Sequence, residues 1–255
     1  MLVLTTGTMM AQIVAYLSTP IITRLYTPEE IGALGLFLRS AGLIAAVGTL
    51  RYEYAIPLPS QAAHGFGLFR IALRTMWLTI LLSVLSIVIY AVFFTPSLET
   101  FALLILIVIG GALLTYKNIG TYWAIRLSTY RRISLSNFFG SAFGNGFKIF
   151  AGLLQWGKIG IVIGAVLGLM VSAIYFIPPY LKAKKDFFQQ KSKQRLRAIS
   201  KIYKEFPLVN LPNLLIDQAR EFLLAIFVIL VFSEAIFGSY DHSFRMLKLP
   251  LVLIG

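Results

Sequence analysis

The sequence has no cysteine, and this absence excludes disulfides, thiolate metal sites and cysteine nucleophiles. Acidic residues are scarce as well: ten Asp and Glu stand against 23 Lys and Arg, a net charge of +13. The only two histidines, His64 and His242, are too far apart in sequence to form a helical metal-binding pair. No glycine-rich phosphate loop or serine elbow is present, and the carboxylates are too scattered to predict an acid and base pair. We therefore expect a protein that is not an enzyme and that uses no metal or cofactor.

Charged residues make up only 13% of the 255 residues, whereas the apolar set AVILMFWYC makes up 58%. Soluble domains are about a quarter charged, and the mean hydropathy of +0.82 is far above theirs. Whole stretches of twenty residues lack any charge, as helices that cross a bilayer do. The composition predicts an all-α membrane protein built as a multi-span helical bundle.

An apolar run of about 20 residues can cross the hydrocarbon core as a helix. The runs predict eight spans, at residues 3–23, 31–50, 73–94, 99–116, 135–154, 159–181, 206–232 and 237–255. We divide the chain into a complete six-helix bundle (1–181), a basic cytoplasmic linker (182–205) and the first two helices of a second bundle (206–255). Because the eighth span is still apolar at Gly255, the sequence is expected to be a C-terminally truncated fragment of a longer protein.

The charges between the spans predict the orientation. Sixteen of the eighteen Lys and Arg outside the spans follow even-numbered spans, and cytoplasmic loops retain positive charge. The N-terminus is therefore expected in the cytoplasm, and attraction to anionic lipid explains the basic run 182–204 better than nucleic acid does. The loops on the other side are expected to hold Arg24, Lys158, Glu29, Glu30, Glu99, Glu234 and Asp241. Aromatic anchors at the two interfaces are expected at Trp77, Trp123 and Trp156.

Basic residues within the spans are the candidate site residues, because an ionisable group at membrane depth is costly unless it faces a cavity or a partner. They are Arg39, Lys148, Arg220, Arg245 and Lys248. Asn145 and Lys148, in the glycine-rich stretch "NFFGSAFGNGFKIF", supply donors for an oxyanion, although Lys148 could instead snorkel to the interface. The spacing of Asp217, Arg220 and Glu221 allows an ion pair within one helix.

Two segments of the sequence match at a shift of 206 residues. Aligning "IGALGLFLR" with "FGSYDHSFR" places Gly32 over Gly238 and Arg39 over Arg245. Each segment belongs to the second helix of a predicted bundle. This position is typical of a transporter made of two parallel six-helix repeats.

Several stretches resemble a known family. The segment "GTMMAQIVAYLSTPIITRLYTPEEIGALGLFL" followed by "LRYEYAIPLP" resembles the N-terminal signature of the polysaccharide biosynthesis flippases. These form the oligosaccharide branch of the multidrug, oligosaccharidyl-lipid and polysaccharide exporter superfamily. The segments "KEFPLVNLPNLLIDQ" and "FRMLKLPLVLIG" resemble that family's seventh and eighth helices.

The resemblance implies two bundles around a central cavity that moves an undecaprenyl-diphosphate-linked oligosaccharide repeat unit across the bacterial inner membrane. Such units are used for surface polysaccharide such as O-antigen. Membrane lipids and the polysaccharide polymerase machinery are the other implied partners. Transport would occur by alternating access, in which the two bundles rock to open the cavity inward and then outward.

The site residues that the resemblance implies are donors for the diphosphate, since these must replace its water and Arg forks match phosphate oxygens. Arg24 would lie at the outer mouth, with an interfacial anchor as its alternative role. Arg39 and Arg245 would line facing walls, with Lys148 and Asn145 beside them. Asp217 is the candidate for ion coupling.

Other functions stay open at this point. A multidrug or other lipid-precursor exporter of the same superfamily is the nearest alternative, and an inactive flippase fragment is another. Bases outnumber acids in the predicted spans by five to two, which favours an anionic substrate. A membrane-embedded glycosyl transferase or polymerase would be expected to carry a sizeable loop with carboxylates, and the sequence has none.

Overall fold

The computed structural model describes residues 2–178 and 193–254, and the side chains of all of these except 2–6, 193–195, 245, 246 and 248–254. Within these ranges the chain forms helices and no strand, which confirms the all-α prediction. The α-helices are α1 (Leu2–Leu25), α2 (Pro28–Gly48), α3 (Ala62–Phe94), α4 (Leu98–Arg126), α5 (Tyr130–Leu153), α6 (Gly157–Ile174), α7 (Lys193–Ile202), α8 (Leu211–Val231) and α9 (Glu234–Ile254). A 3₁₀ helix covers Tyr52–Ala55, and a π-helical turn at Phe206–Asn210 leads into α8.

Four of the described helices, α2, α3, α4 and α6, are long and apolar enough to cross a membrane. The helices α1, α5, α8 and α9 have 24, 24, 21 and 21 residues and occupy the positions predicted for spans 1, 5, 7 and 8. The chain is therefore a multi-pass membrane bundle. The division into two bundles at residues 182–205 stays a prediction.

Several predicted span limits differ from the helix limits because hydropathy detects only the part of a helix that is apolar. Helix α3 begins at Ala62 instead of 73, and α4 continues to Arg126 instead of 116. Their extensions carry His64, Arg70 and Arg126, which a helix can accommodate where it leaves the hydrocarbon core. Helix α6 ends at Ile174 instead of 181, shortly before two prolines that cannot continue it.

Small residues bring α5 and α6 into close contact. A Cβ added at Gly144 would lie 3.0 Å from the Gly168 Cα. Ser136 Oγ donates to the Ser172 carbonyl over 2.8 Å, and Ser172 Oγ donates back to the Ser136 carbonyl over 2.9 Å. Close backbone approach and reciprocal hydrogen bonds are how helices associate in lipid.

Three turns between helices meet at one end of the bundle, which we call the turn face. The α5–α6 and α8–α9 turns are joined by an ion pair between Lys158 and Glu234. A Cβ added at Gly157 would lie 3.2 Å from Glu30 Oε1, which places the α1–α2 turn there too. The opposite end, the loop face, holds the segment after α2, which Arg126 of α4 binds through the Ile56 and Pro59 carbonyls. The turns after α1, α5 and α8 thus lie at one end and the segment after α2 at the other, while the side of the membrane that each end occupies stays a prediction.

The basic linker contains a docked helix. In α7, Leu196 and Ile199 are buried, and Ile199 packs against Gly67 of α3, while Arg197 and Lys201 are exposed. Residues 182–192 of the predicted linker lie outside the described residues. The described part is an amphipathic helix with a positively charged outer side.

One of the three predicted interfacial tryptophans is a core residue. Trp123 is only 4% exposed and its ring centroid lies 5.1 Å from that of Phe66 and 5.0 Å from that of Phe69. Trp77 and Trp156 are exposed on the outside of the bundle, where lipid-interface anchors lie. The prediction for Trp123 was wrong because the position of a residue along a span does not indicate which side of the helix it occupies.

We predict that Gly140→Ala destabilises the bundle by about 1–3 kcal/mol, the usual cost of overpacking. Its added Cβ would overlap Ser172 Oγ and lie 2.8 Å from the Gly168 carbonyl oxygen, which belongs to the backbone of α6. Gly146→Ala on the same helix is the matched control, because its Cβ would meet nothing within 4 Å. Thermal unfolding in detergent should show a lower midpoint for Gly140→Ala only. Equal midpoints for the two variants would contradict close α5–α6 packing.

Candidate functional site

Arg39 lies near the middle of α2 and forms an ion pair with α9. Its side chain is 11% exposed, and its Nη1 lies 2.5 Å from Asp241 Oδ1. Asp241 was expected in a loop, but it is a buried residue of α9, 1% exposed. That prediction was wrong because the hydropathy pattern begins the eighth span at Phe237, and the acidic residues near this beginning were assigned to the preceding loop. The sequence therefore did not reveal Asp241 as the closest partner of Arg39.

Glycines on α2 make room for this pair. Gly35 precedes Arg39 by one turn, and a Cβ added there would lie 2.7 Å from Asp241 Oδ2 and 3.1 Å from the Phe237 ring. One turn earlier on α2, Gly32 lies against Gly238 of α9. A Cβ added at Gly238 would overlap the Pro28 carbonyl oxygen and lie 2.9 Å from the Gly32 nitrogen. We call this α2–α9 contact the seam. It brings together Gly32 and Gly238, the two glycines that the internal match aligns.

Two further groups surround the guanidinium. Glu221 Oε2 of α8 lies 3.9 Å from Arg39 Nε, and the guanidinium carbon lies 5.0 Å from the centroid of the Phe237 ring. Among the described residues Arg39 Nε has no hydrogen-bond acceptor. Glu221 thus approaches a residue of another helix, whereas the spacing in the sequence indicated an ion pair within its own helix. Arg39 is held by one short contact and keeps unused donor capacity.

Asn145 and Lys148 form a second polar cluster on α5. Lys148 Nζ donates to Asn145 Oδ1 over 3.2 Å, and Asn145 Nδ2 donates to Ser141 Oγ over 3.3 Å. Asn145 is 9% exposed. The side chain of Lys148 passes over Gly164 of α6, where an added Cβ would lie 2.5 Å from its Cγ. The structure thus brings together two predicted site residues, Asn145 and Lys148. Arg39 lies in a different cluster, with Asp241 of α9.

The remaining candidates lie apart from these two clusters. Arg24 is exposed in the last turn of α1 and Asp217 is exposed on α8. Arg245 belongs to α9, but its side chain lies outside the described residues. Within residues 2–178 and 193–254, no three His, Cys, Asp or Glu residues are grouped as metal ligands.

The segment "TRLYTPEEIG" is a helix start that sequence analysis could have recognised. Thr27 caps α2: its nitrogen donates to Glu30 Oε2 over 2.8 Å and its Oγ1 accepts from the Glu30 nitrogen over 3.4 Å. The Tyr26 hydroxyl donates to the Lys148 carbonyl over 2.7 Å, and burial, with Glu30 nearby, raises the pKa of Tyr26 to about 12. The segment therefore positions α2 against the α5 cluster.

An apolar recess lies beside the seam at the turn face. The Lys158–Glu234 ion pair, with 2.6 Å between Nζ and Oε2, is part of its lining. Its lining is apolar apart from this pair and comprises Gly32, Ala33, Leu36, Phe37, Leu103, Ile107 and Ile229. Apart from this ion pair, such a surface suits hydrocarbon.

A third polar cluster lies at the loop face. Glu53 is 2% exposed, accepts a hydrogen bond from the Thr49 hydroxyl, and lies 3.7 Å from Arg51 Nη1. Burial raises the pKa of Glu53, and the Thr49 hydrogen bond and the Arg51 charge only partly oppose this effect. The cluster links the end of α2 to the segment that follows it.

We predict that Glu53 makes stability depend on pH. Since its pKa is raised on folding above the ordinary value of 4.5, the folded state holds a proton that the unfolded state has lost in the window between the two values. Stability should therefore fall as pH rises from 4.5 through the folded-state pKa. Glu53→Gln should abolish this fall and the exposed Glu99→Gln should retain it, as measured by unfolding midpoints in detergent between about pH 4 and 8. Parallel profiles for all three proteins would contradict the assignment.

We also predict strong coupling between Arg39 and Asp241. Removing one partner leaves a buried charge, so Arg39→Met or Asp241→Leu alone should each cost about 3–5 kcal/mol, whereas the double variant should recover most of that loss. A double-mutant cycle of unfolding free energies measures the coupling. The same cycle on the more exposed Lys158–Glu234 pair should give about 1 kcal/mol or less. Additive effects of Arg39→Met and Asp241→Leu would show that the two side chains do not interact.

No protein-family model matches the chain, and no curated protein matches it. Among solved structures, the chain is similar to a multidrug resistance MATE family transporter of the MOP superfamily in its inward-facing conformation. The TM-score is 0.59 at 18% identity, and the match covers 99% of this chain and 62% of that one, so the chain spans about three fifths of that transporter's length. The chain therefore shares its helical fold with about three fifths of that transporter.

Proposed function

We propose that the protein moves an undecaprenyl-diphosphate-linked oligosaccharide repeat unit across the bacterial inner membrane for surface polysaccharide synthesis. The observation that carries this proposal is Arg39, a cation held at membrane depth on the seam of a transporter fold. A buried cation is costly and marks a substrate or ion pathway more often than a structural element. The sequence resemblance to polysaccharide flippases supplies the substrate class.

The chemistry of the proposed substrate requires donors inside the membrane. A diphosphate that leaves water loses its hydration, and only hydrogen bonds or charges of the protein can replace it. Arg39 offers a planar fork with an unused Nε, and such forks match pairs of phosphate oxygens. Lys148 and Asn145 provide a second group of donors on α5. The polyprenyl tail needs no such site, because it is stable in lipid.

Transport in this scheme is a change of access without covalent chemistry. The two clusters bind the charged part of the substrate, while the helices move to expose them first to one side of the membrane and then to the other. The seam and the Lys158–Glu234 pair close the turn face of the bundle. The charge count predicts that this face is the outer one, and in our proposal the closed seam belongs to the state closed toward the outside.

A multidrug exporter is the second candidate. The similar solved structure is a multidrug resistance transporter, and the carboxylates of Asp241 and Glu221 could attract a cationic drug. The two candidates differ in which member of the cluster binds the substrate. A diphosphate needs Arg39, whereas a cationic drug needs Asp241 or Glu221.

The test is leaflet exchange of a fluorescent undecaprenyl-diphosphate oligosaccharide in liposomes that contain the intact gene product. Loss of a charged hydrogen bond costs about 1.5–3 kcal/mol, so Arg39→Gln should slow exchange about 10- to 100-fold. The double variant Arg39→Ala with Arg245→Ala should abolish it. Lys201→Gln, an exposed base on α7, is the matched control and should exchange at the wild-type rate.

The opposing outcomes are distinct. Exchange no faster than in empty liposomes, with protein that unfolds cooperatively, would overturn the flippase proposal. Uptake of a cationic dye by the same liposomes, with loss of uptake in Glu221→Gln and retention in Arg39→Gln, would favour the multidrug exporter.

A further inference from the structure

We propose that Asp241 is an internal counter-ion that occupies the anion site of Arg39, and that an anionic substrate displaces it and thereby opens the α2–α9 seam. The displacing ligand in this inference rests on the proposed function, whereas the counter-ion role rests on the structure alone. The proposal assigns to Asp241 the step that links substrate binding to the conformational change.

The first argument is that the carboxylate and a phosphate compete for the same place. Asp241 Oδ1 lies 2.5 Å from Arg39 Nη1, and Oδ2 lies over Gly35, where an added Cβ would be 2.7 Å away. The carboxylate therefore fills the space between the guanidinium and the surface of α2. A phosphate can approach this nitrogen only when Asp241 leaves it.

The second argument is that Asp241 cannot leave by rotating its side chain alone. The seam is close-packed on both sides of the pair: Gly238 rests on the Pro28 carbonyl, and Phe237, which is fully buried, lies against Gly35. An aspartate side chain has one methylene and two torsions, so it can move its carboxylate only a short way from the helix axis. Separation of the pair by the width of a phosphate group therefore requires α9 to move away from α2.

The third argument is electrostatic. While paired, Arg39 and Asp241 neutralise each other in a place where an isolated charge would be costly. Once a diphosphate binds Arg39, Asp241, which is 1% exposed, loses its contact with the guanidinium and lies beside a second anion. The carboxylate then regains favourable solvation only if water reaches it, which happens when the seam opens. A neutral lipid gives no such displacement, so opening is selective for anions.

The internal match relates Asp241 to a glycine of α2. At the shift of 206 residues, the position of α2 that corresponds to Asp241 is Gly35. The carboxylate of one repeat thus packs on the glycine of the other. In the sequence, both segments carry the aligned arginine, Arg39 or Arg245, and the second carries Asp241 where the first has Gly35.

Distances across the turn face test the proposal. Because the chain has no cysteine, Leu154→Cys and Phe232→Cys place two spin labels without background, at exposed positions beside the α5–α6 and α8–α9 turns. Electron paramagnetic resonance distances are measured in liposomes without ligand, with undecaprenyl diphosphate, and with undecaprenol, which has the same chain and no phosphate. Binding of undecaprenyl diphosphate is measured in parallel.

In the labelled parent chain, with no further substitution, we expect a short distance alone and with undecaprenol, and a longer one with undecaprenyl diphosphate. Asp241→Asn should show the longer distance without ligand and bind undecaprenyl diphosphate at least about tenfold more tightly, because the internal competitor has been weakened. Gly238→Val should also open the seam, by steric overlap with Pro28. Ser243→Ala, which removes an exposed hydroxyl that bonds to the Ser239 carbonyl within α9, should leave the short distance unchanged.

A second variant keeps the proposal testable if Asp241→Asn does not fold. Arg39→Met with Asp241→Leu replaces the ion pair by an apolar pair, so the seam should stay closed and should no longer respond to undecaprenyl diphosphate. A response as large as in the labelled parent would overturn the proposal.

The other outcomes distinguish the counter-ion role of Asp241 from the identity of the displacing anion. A folded Asp241→Asn with the short distance would overturn the counter-ion role, as would undecaprenyl diphosphate that binds the labelled parent and leaves the distance unchanged. Opening in Asp241→Asn without any binding of undecaprenyl diphosphate to the labelled parent would support the counter-ion role. That result would reject the flippase substrate as the displacing anion.

Discussion

The ion pair between Arg39 and Asp241 is the constraint on which the arrangement of α2, α8 and α9 depends. A guanidinium in the middle of a membrane helix must have a partner within reach, and the partner must itself be held in place. Gly35 allows the carboxylate to approach, Phe237 covers the guanidinium, and Glu221 adds a second carboxylate from α8. Buried ion pairs contribute little net stability compared with apolar residues of the same volume. A functional role therefore explains this pair better than stability does.

The bundle has two kinds of helix contact. Between the described residues of α5 and α6, glycines and serines bring the backbones together with reciprocal hydrogen bonds and no ion pair. Ser141 Oγ adds a bond to the Ala11 carbonyl and so ties α1 to α5. The seam, in contrast, depends on charges that another anion can replace. This difference favours α1, α5 and α6 as a rigid unit and α9 as the part that moves.

The candidate site could be predicted in part. Arg39 and Lys148 were identifiable because a basic residue in an apolar run is unusual whatever its neighbours are. Asp241 was not, because an acid near the start of an apolar segment can belong either to the helix or to the preceding loop, and hydropathy averages over that boundary. Trp123 shows the same limit for packing, since its depth along α4 was visible and its burial against Phe66 and Phe69 was not.

The sequence by itself determined the helical membrane class, the approximate positions of the spans and the alternation of charged loops, because these follow from local hydropathy and from the absence of water in the bilayer core. It also determined the start of α2, since the Thr27 and Glu30 capping pair is local. Only the tertiary structure decided which carboxylate neutralises Arg39. Asp241 is 202 residues away, and the pairing depends on two glycine-lined helices meeting in one register, which no local pattern specifies.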